Sequence, residues 1–215
     1  MKLAFVDLNL RRNPFGELSP SERAEIAVVD TGPLVEWVSQ PNRVLEYVAE
    51  CGRGKSSHLW AIAAACGAEY LRIPEERDEP WELPAGEILV IDEAQFLSWW
   101  QRRKVFRRGR SYVVGTHEAL TKVYRRARLE VRQEVIQGLS VEKLGAIVER
   151  RIEASRRGEG PVPVVEVSGL EWLIERRGDD VRGIEGDLYE VFQRLEAPKS
   201  LSRRWLENFF QSPVL

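Results

Sequence analysis

The chain has 215 residues, 43% apolar and 31% charged, with a net charge of −2. That is globular composition, long enough for one sizeable core or a main domain with a satellite. The balance excludes a disordered chain and gives no overall charge for holding nucleic acid, so any polyanion contact must be local. No apolar run approaches the roughly 20 residues of a membrane span. In residues 1–16 (MKLAFVDLNLRRNPFG) Asp7 interrupts the apolar run and the basic pair follows it, unlike a secretory leader. Two cysteines, Cys51 and Cys66, make no disulfide framework, and a reducing, cytoplasmic setting is expected.

Ser19 and Glu22 have capping-box spacing with Pro20 at the first helical position, which predicts a helix to about residue 29. A short helix or strand over 34–38 follows. Then comes a regular series: strand 43–49, a glycine-rich loop, helix 55–65, strand 69–73, strand 87–92, helix 96–106, strand 111–116, helix 118–125 and strand 129–136. This alternation predicts an α/β fold with a mostly parallel sheet and helices on both faces. EILVID, residues 87–92, is the near-continuous apolar run of a strand buried on both sides. Residues 74–86 (PEERDEPWELPAG) hold three prolines and no helical period, which leaves the place of the second strand open. Beyond 138, Ser140 opens a helix to about 154 and residues 156–163 form a link. Ser168 and Glu171 are spaced as a capping box. Asp180 caps a helix with Val181, Ile184, Leu188, Phe192 and Leu195 on one face. Trp205, Leu206, Phe209 and Phe210 are expected to pack back on a core.

The stretch Ala49-Glu50-Cys51-Gly52-Arg53-Gly54-Lys55-Ser56, followed by Ser57, has the spacing of a phosphate-binding P-loop, with Ala49 at the usual first glycine. Glycines let successive N–H groups converge on phosphate oxygens, and the helix that follows points its positive end at the anion. Lys55 would reach the β- and γ-phosphates and the Ser56 hydroxyl would hold Mg²⁺. Ile88-Leu89-Val90-Ile91-Asp92-Glu93 adds a buried strand ending in two carboxylates. Asp92 would bind the metal and Glu93 would orient or deprotonate water.

In order, GRGKSS, ILVIDEAQ, SYVVGTHEAL and GDDVRGIEGDLYEVF resemble the AAA+ class of P-loop ATPases over residues 10–195. The nearest likeness is to small bacterial transposition-helper and secretion-type ATPases, with DEAQ at the Walker B position. The resemblance implies a nucleotide-binding α/β domain, residues 1–138, and a small helical lid with a C-terminal tail, residues 139–215. It implies ATP and Mg²⁺ as cofactors, with Asn13 and Phe15 near the adenine. Thr116 would be sensor 1 and Arg182 sensor 2, reaching the γ-phosphate from the lid. It also implies an oligomer or protein partner, with Arg125, Arg126 or Arg128 as candidates for an arginine finger.

One dense basic run, Arg102, Arg103, Lys104, Arg107, Arg108 and Arg110, follows Trp99-Trp100. It reads either as a contact for nucleic-acid phosphates or as a solvated helix face. The two histidines, His58 and His117, form no metal-ligand spacing with the cysteines. The expected function is a Mg-dependent ATPase coupled to a protein or nucleic acid. A non-hydrolysing nucleotide switch and a DNA-associated helper are the alternatives.

Overall fold

The computed structural model describes residues 5–50, 52–76, 79–136 and 138–211. The chain divides into two units, residues 19–137 and residues 1–18 with 138–215. Residues 5–18, expected with the sheet, therefore belong with the C-terminal helices. The reason is packing: Leu8, Leu10 and Phe15 are buried in the helical core, and Arg11 N donates to Ser155 O at 2.8 Å.

In the sheet unit, α1 (Pro20–Ile26) starts at the Ser19–Glu22 capping box, and α2 (Gly32–Val38) opens on Gly32-Pro33. Then follow β1 (Arg43–Val48), α3 (Lys55–Cys66), β2 (Tyr70–Arg72), β3 (Ile88–Asp92), α4 (Trp99–Val105), β4 (Ser111–Thr116), α5 (Thr121–Ala127) and β5 (Glu130–Glu134). The strands lie in the order β2-β3-β4-β1-β5, and every pair is parallel. β2 is an edge strand, with Tyr70 opposite Val90 and Arg72 opposite Asp92. The link from β2 to β3 has no helix among the described residues. Trp81 and Leu83 pack on the core in its place. The helix expected over 96–106 is shorter, because a 3-10 turn occupies Ala94–Phe96 and a Ser98–Gln101 capping box starts α4.

Strand alternation splits the core in two. Val44, Leu89, Ile91, Tyr112 and Val114 face α4 and α5, where they meet Val105, Phe106, Leu120 and Tyr124. Leu45, Tyr47, Val90 and Val113 face α2 and α3, where they meet Leu34, Val38, Leu59 and Ile62. The same parity carries Asp92, two residues after Val90, to the α3 face.

The helical unit holds α6 (Val141–Ser155), β6 (Val164–Val165), α7 (Val167–Arg177), α8 (Val181–Arg194), β7 (Ser200–Leu201) and α9 (Arg203–Gln211). Ser140 and Asp180 cap α6 and α8 as expected, accepting from Lys143 N and Gly183 N. The Ser168–Glu171 box does not form. Glu166 precedes α7, and Ser168 Oγ accepts instead from Arg203 N at 3.3 Å. The two-residue strands β6 and β7 pair in parallel and carry no alternation long enough to read from sequence. On α9, Leu206 is fully buried, with Trp205, Phe209 and Phe210 packed against the same core.

Candidate functional site

The loop after β1 is closed by its own side chains. Gly52 (φ 84°) and Gly54 (φ 82°) adopt the left-handed conformation that favours glycine. Lys55 is buried at 4% exposure, and its Nζ donates to Ala49 O at 3.1 Å. His58 Nδ1 lies 2.9 Å from Gly54 O; a carbonyl only accepts, so Nδ1 carries the proton. No side chain caps the start of α3, which leaves first-turn N–H groups and the positive helix end facing the loop.

Opposite the loop, Asp92 is 1% exposed. Its Oδ2 accepts from Ser56 Oγ at 2.7 Å and from Tyr70 Oη at 2.5 Å, and its Oδ1 accepts from Glu93 N at 2.9 Å. Among these partners there is no cation. A buried carboxylate with only neutral donors is an uncompensated charge, the condition a bound cation relieves. The hydroxyl and carboxylate oxygens of Ser56 and Asp92 are hard donors that suit Mg²⁺. Two supports fix Asp92 in place. Tyr70 stacks on Trp60 with centroids 3.7 Å apart, and burial first, then the Asp92 charge, push its phenol far above the ordinary value, so it stays a donor. Gly115 leaves room, since a Cβ there would lie 2.5 Å from Asp92 Oδ1 and 3.1 Å from Leu59.

Glu93 ends the strand with a left-handed backbone (φ 59°), uncommon outside glycine and asparagine. Gln95 Nε2 donates to Glu93 Oε2 at 2.5 Å, and His117 Nε2 lies 3.5 Å from the same oxygen. His117 N in turn donates to Gln95 Oε1 at 3.2 Å.

Thr116, expected as a sensor, is fully buried, and its Oγ1 donates to Glu118 O at 2.9 Å. The neighbouring residue, His117, is the one whose side chain meets Glu93. Sequence reading missed Tyr70, Gln95, His117 and His58 as parts of this site. The only available signal was the placement of Gln95 and His117 just after the ends of β3 and β4. Glu46, buried at mid-strand in β1, was also missed; it accepts from Leu120 N at 2.8 Å and Gln133 Nε2 at 2.7 Å and fixes the start of α5. Cys51 lies outside the described residues. Glu50 and Arg53 form a solvent-side pair at 3.5 Å, and Ser57 is exposed.

Asn13 and Phe15 lie inside the helical unit. Asn13 Nδ2 donates to Tyr189 O and Gln193 Oε1, each at 3.0 Å, and Phe15 packs edge-on against Phe192. Arg182 is exposed in the first turn of α8. Arg125, Arg126 and Arg128 are exposed at the end of α5. In the basic run Arg102 is committed to structure. Its Nε and Nη2 donate to Leu97 O and Gln95 O, both at 2.8 Å, and it pairs with Glu118.

The Thermotoga maritima RuvB Holliday junction branch migration motor superposes with a TM-score of 0.54 at 15% identity, covering 91% of this chain and 69% of that one. A point mutant of the same RuvB gives 0.59 at 13% identity, covering 94% and 73%. The Aeropyrum pernix Orc1 protein in complex with DNA gives 0.52 at 15% identity, covering 90% and 65%. The chain shares the fold of these proteins. No protein-family model and no curated protein matches the sequence. Among the described residues no helix is long and apolar enough to cross a membrane, and no cluster of three or more His, Cys, Asp or Glu residues could hold a metal by itself.

Proposed function

We propose that the chain is a Mg-dependent ATPase. The observation that carries the reading is Asp92, a buried carboxylate with no cationic hydrogen-bond partner among the described residues, 2.7 Å from the loop hydroxyl of Ser56. The loop amides from Ala49 to Ser57 would receive the phosphates, with Gly52 and Gly54 supplying the turns. Lys55 would exchange Ala49 O for the β- and γ-phosphate oxygens. Ser56 and Asp92 would hold Mg²⁺, which supplies charge neutralisation for the phosphates. Glu93 would orient and deprotonate the attacking water, and Gln95 and His117 would position its carboxylate. Asn13 and Phe15 would support the segment beside the adenine. Thr116 would act through the strand end that carries His117, and Arg182 would be sensor 2.

The fold shared with RuvB and Orc1 supports an ATPase that works with a nucleic acid or a protein partner. The DEAQ and VGT residues support the finer likeness to transposition helpers. A cytoplasmic setting, a homo-oligomer and an arginine finger among Arg125, Arg126 and Arg128 complete the reading. Phosphate release with Mg²⁺ and ATP tests it. Lys55→Ala should abolish nucleotide binding. Glu93→Gln should bind ATP but turn over at least about 100-fold more slowly. Negligible release by the wild type despite tight binding would establish a non-hydrolysing switch instead. That second reading is favoured by the Gln95 contact, which holds the Glu93 carboxylate.

A further inference from the structure

Trp99 and Trp100 are 50% and 73% exposed at the start of α4, edge to face with centroids 4.4 Å apart. Large aromatic side chains left in water mark an interaction surface. Arg103 lies over Trp99, 5.4 Å from the ring, and Lys104 is one helical turn from Trp100. Arg107 and Arg108 are exposed in the turn that follows. From residue 94 to residue 117 there is no Asp or Glu, although the whole chain is net negative. Among the described residues the ion pair of this run is Arg102–Glu118; Arg110 is half-buried, and Arg103, Lys104, Arg107 and Arg108 are exposed. Beside Trp99 is a groove of about 550 Å³ whose lining includes Phe106, Val123 and Arg126.

We infer that this face binds single-stranded DNA, with bases stacked on Trp99 and Trp100 and phosphates on Arg103, Lys104, Arg107 and Arg108. Two flat rings beside unpaired cations match the two repeating parts of an unpaired strand, a π-face and a phosphate. A duplex hides its base faces and meets only the charges. An acidic protein segment would use the charges but would leave two adjacent indoles without stacked partners. Gln101, next to Trp100 in the chain, has its Oε1 engaged by Ser98 N at 2.7 Å, so that acceptor is not free to reward a ribose 2′-hydroxyl. This inference goes beyond the ATPase reading and does not depend on it, because the surface is complete without nucleotide.

Fluorescence anisotropy of a labelled oligo-dT of about 16 nucleotides, with the full chain and no ATP, tests it. The expected result is saturable binding, weaker for a duplex of equal length. The log–log salt slope should be about −3, from four phosphate contacts at roughly −0.7 each. Trp100→Ala, a change at an exposed site, should weaken binding about tenfold, and Arg103→Glu with Lys104→Glu should weaken it further and flatten the slope. Circular dichroism of each variant confirms the fold. Absence of binding, binding indifferent to Trp100→Ala in a folded variant, or tighter binding of duplex or of oligo-U RNA would overturn the assignment.

Discussion

Asp92 in the sheet unit and Asp187 in the helical unit are both carboxylates almost closed to water, at 1% and 5% exposure. Asp187 accepts from Arg176 Nε at 3.1 Å, Arg177 Nε at 2.8 Å and Arg177 Nη2 at 2.5 Å. Two guanidiniums thus balance one charge, and the contact latches α7 to α8. Asp92 is held by two hydroxyls and one backbone N–H, all neutral. The same residue type at the same depth is a finished structural pair in one unit and an anion in want of a cation in the other. Burial alone therefore does not mark a site; the charge of the partners does.

The contrast extends to what each unit buries, and the largest expected effect is alkaline. Tyr47, Tyr70, Tyr112 and Tyr124 all belong to the sheet unit, and burial is the first cause that raises each phenol above its ordinary value. A raised folded pKa gives stability that is fully present below the unfolded value near 10. It is lost as pH rises from there toward the folded value. At pH 11 the loss is on the order of 1 kcal/mol for each phenol. In a Tyr189→Phe background, which removes the exposed phenol of the helical unit, thermal melts at pH 8 and pH 11, followed by tyrosinate absorbance, should show the sheet unit weakening, with tyrosinate emerging only with unfolding. Tyrosinate formation in the folded protein near pH 10 would contradict the packing described.

Gly115→Ala should cost roughly 1–3 kcal/mol in chemical denaturation, because its methyl would meet the Asp92 carboxylate and Leu59. It should also lower phosphate release by displacing Asp92, a loss that a purely structural glycine would not produce.

The smallest effects separate the two carboxylates directly. Asp187→Asn should destabilise by about 1 kcal/mol, a modest figure because Arg176 and Arg177 are 40% and 39% exposed and can rehydrate. Asp92→Asn, measured without metal, should be neutral or slightly stabilising, since it removes an unbalanced charge. Adding Mg²⁺ with ATP should raise the melting temperature of the wild type and leave Asp92→Asn unmoved. Equal destabilisation by the two substitutions would remove the distinction.

Much of the site is legible in the chain. Gly52, Gly54, Lys55 and Ser56 announce a loop whose backbone must turn and whose hydroxyl must reach a partner. The ILVIDE run announces a buried strand ending in acids. Local chemistry suffices there because glycine torsions, apolar runs and capping spacings act within a few residues. Only tertiary structure decided the rest. Strand parity, acting through the β1-β4-β3 order, put Asp92 on the α3 face beside Ser56. Tyr70 reached Asp92 because β2 pairs beside β3, across a link with no readable period. The left-handed turn at Glu93 gave its side chain to Gln95 and His117 rather than to Thr116. Arg102 left the basic run to hold the Gln95 and Leu97 carbonyls. Residues 5–18 joined the helical unit because Leu8, Leu10 and Phe15 find their apolar partners there. Apart from the Gln95 and Arg102 contacts, which span two to seven residues within an aperiodic turn, each depends on contacts between residues distant in sequence, and local patterns carry no record of such contacts.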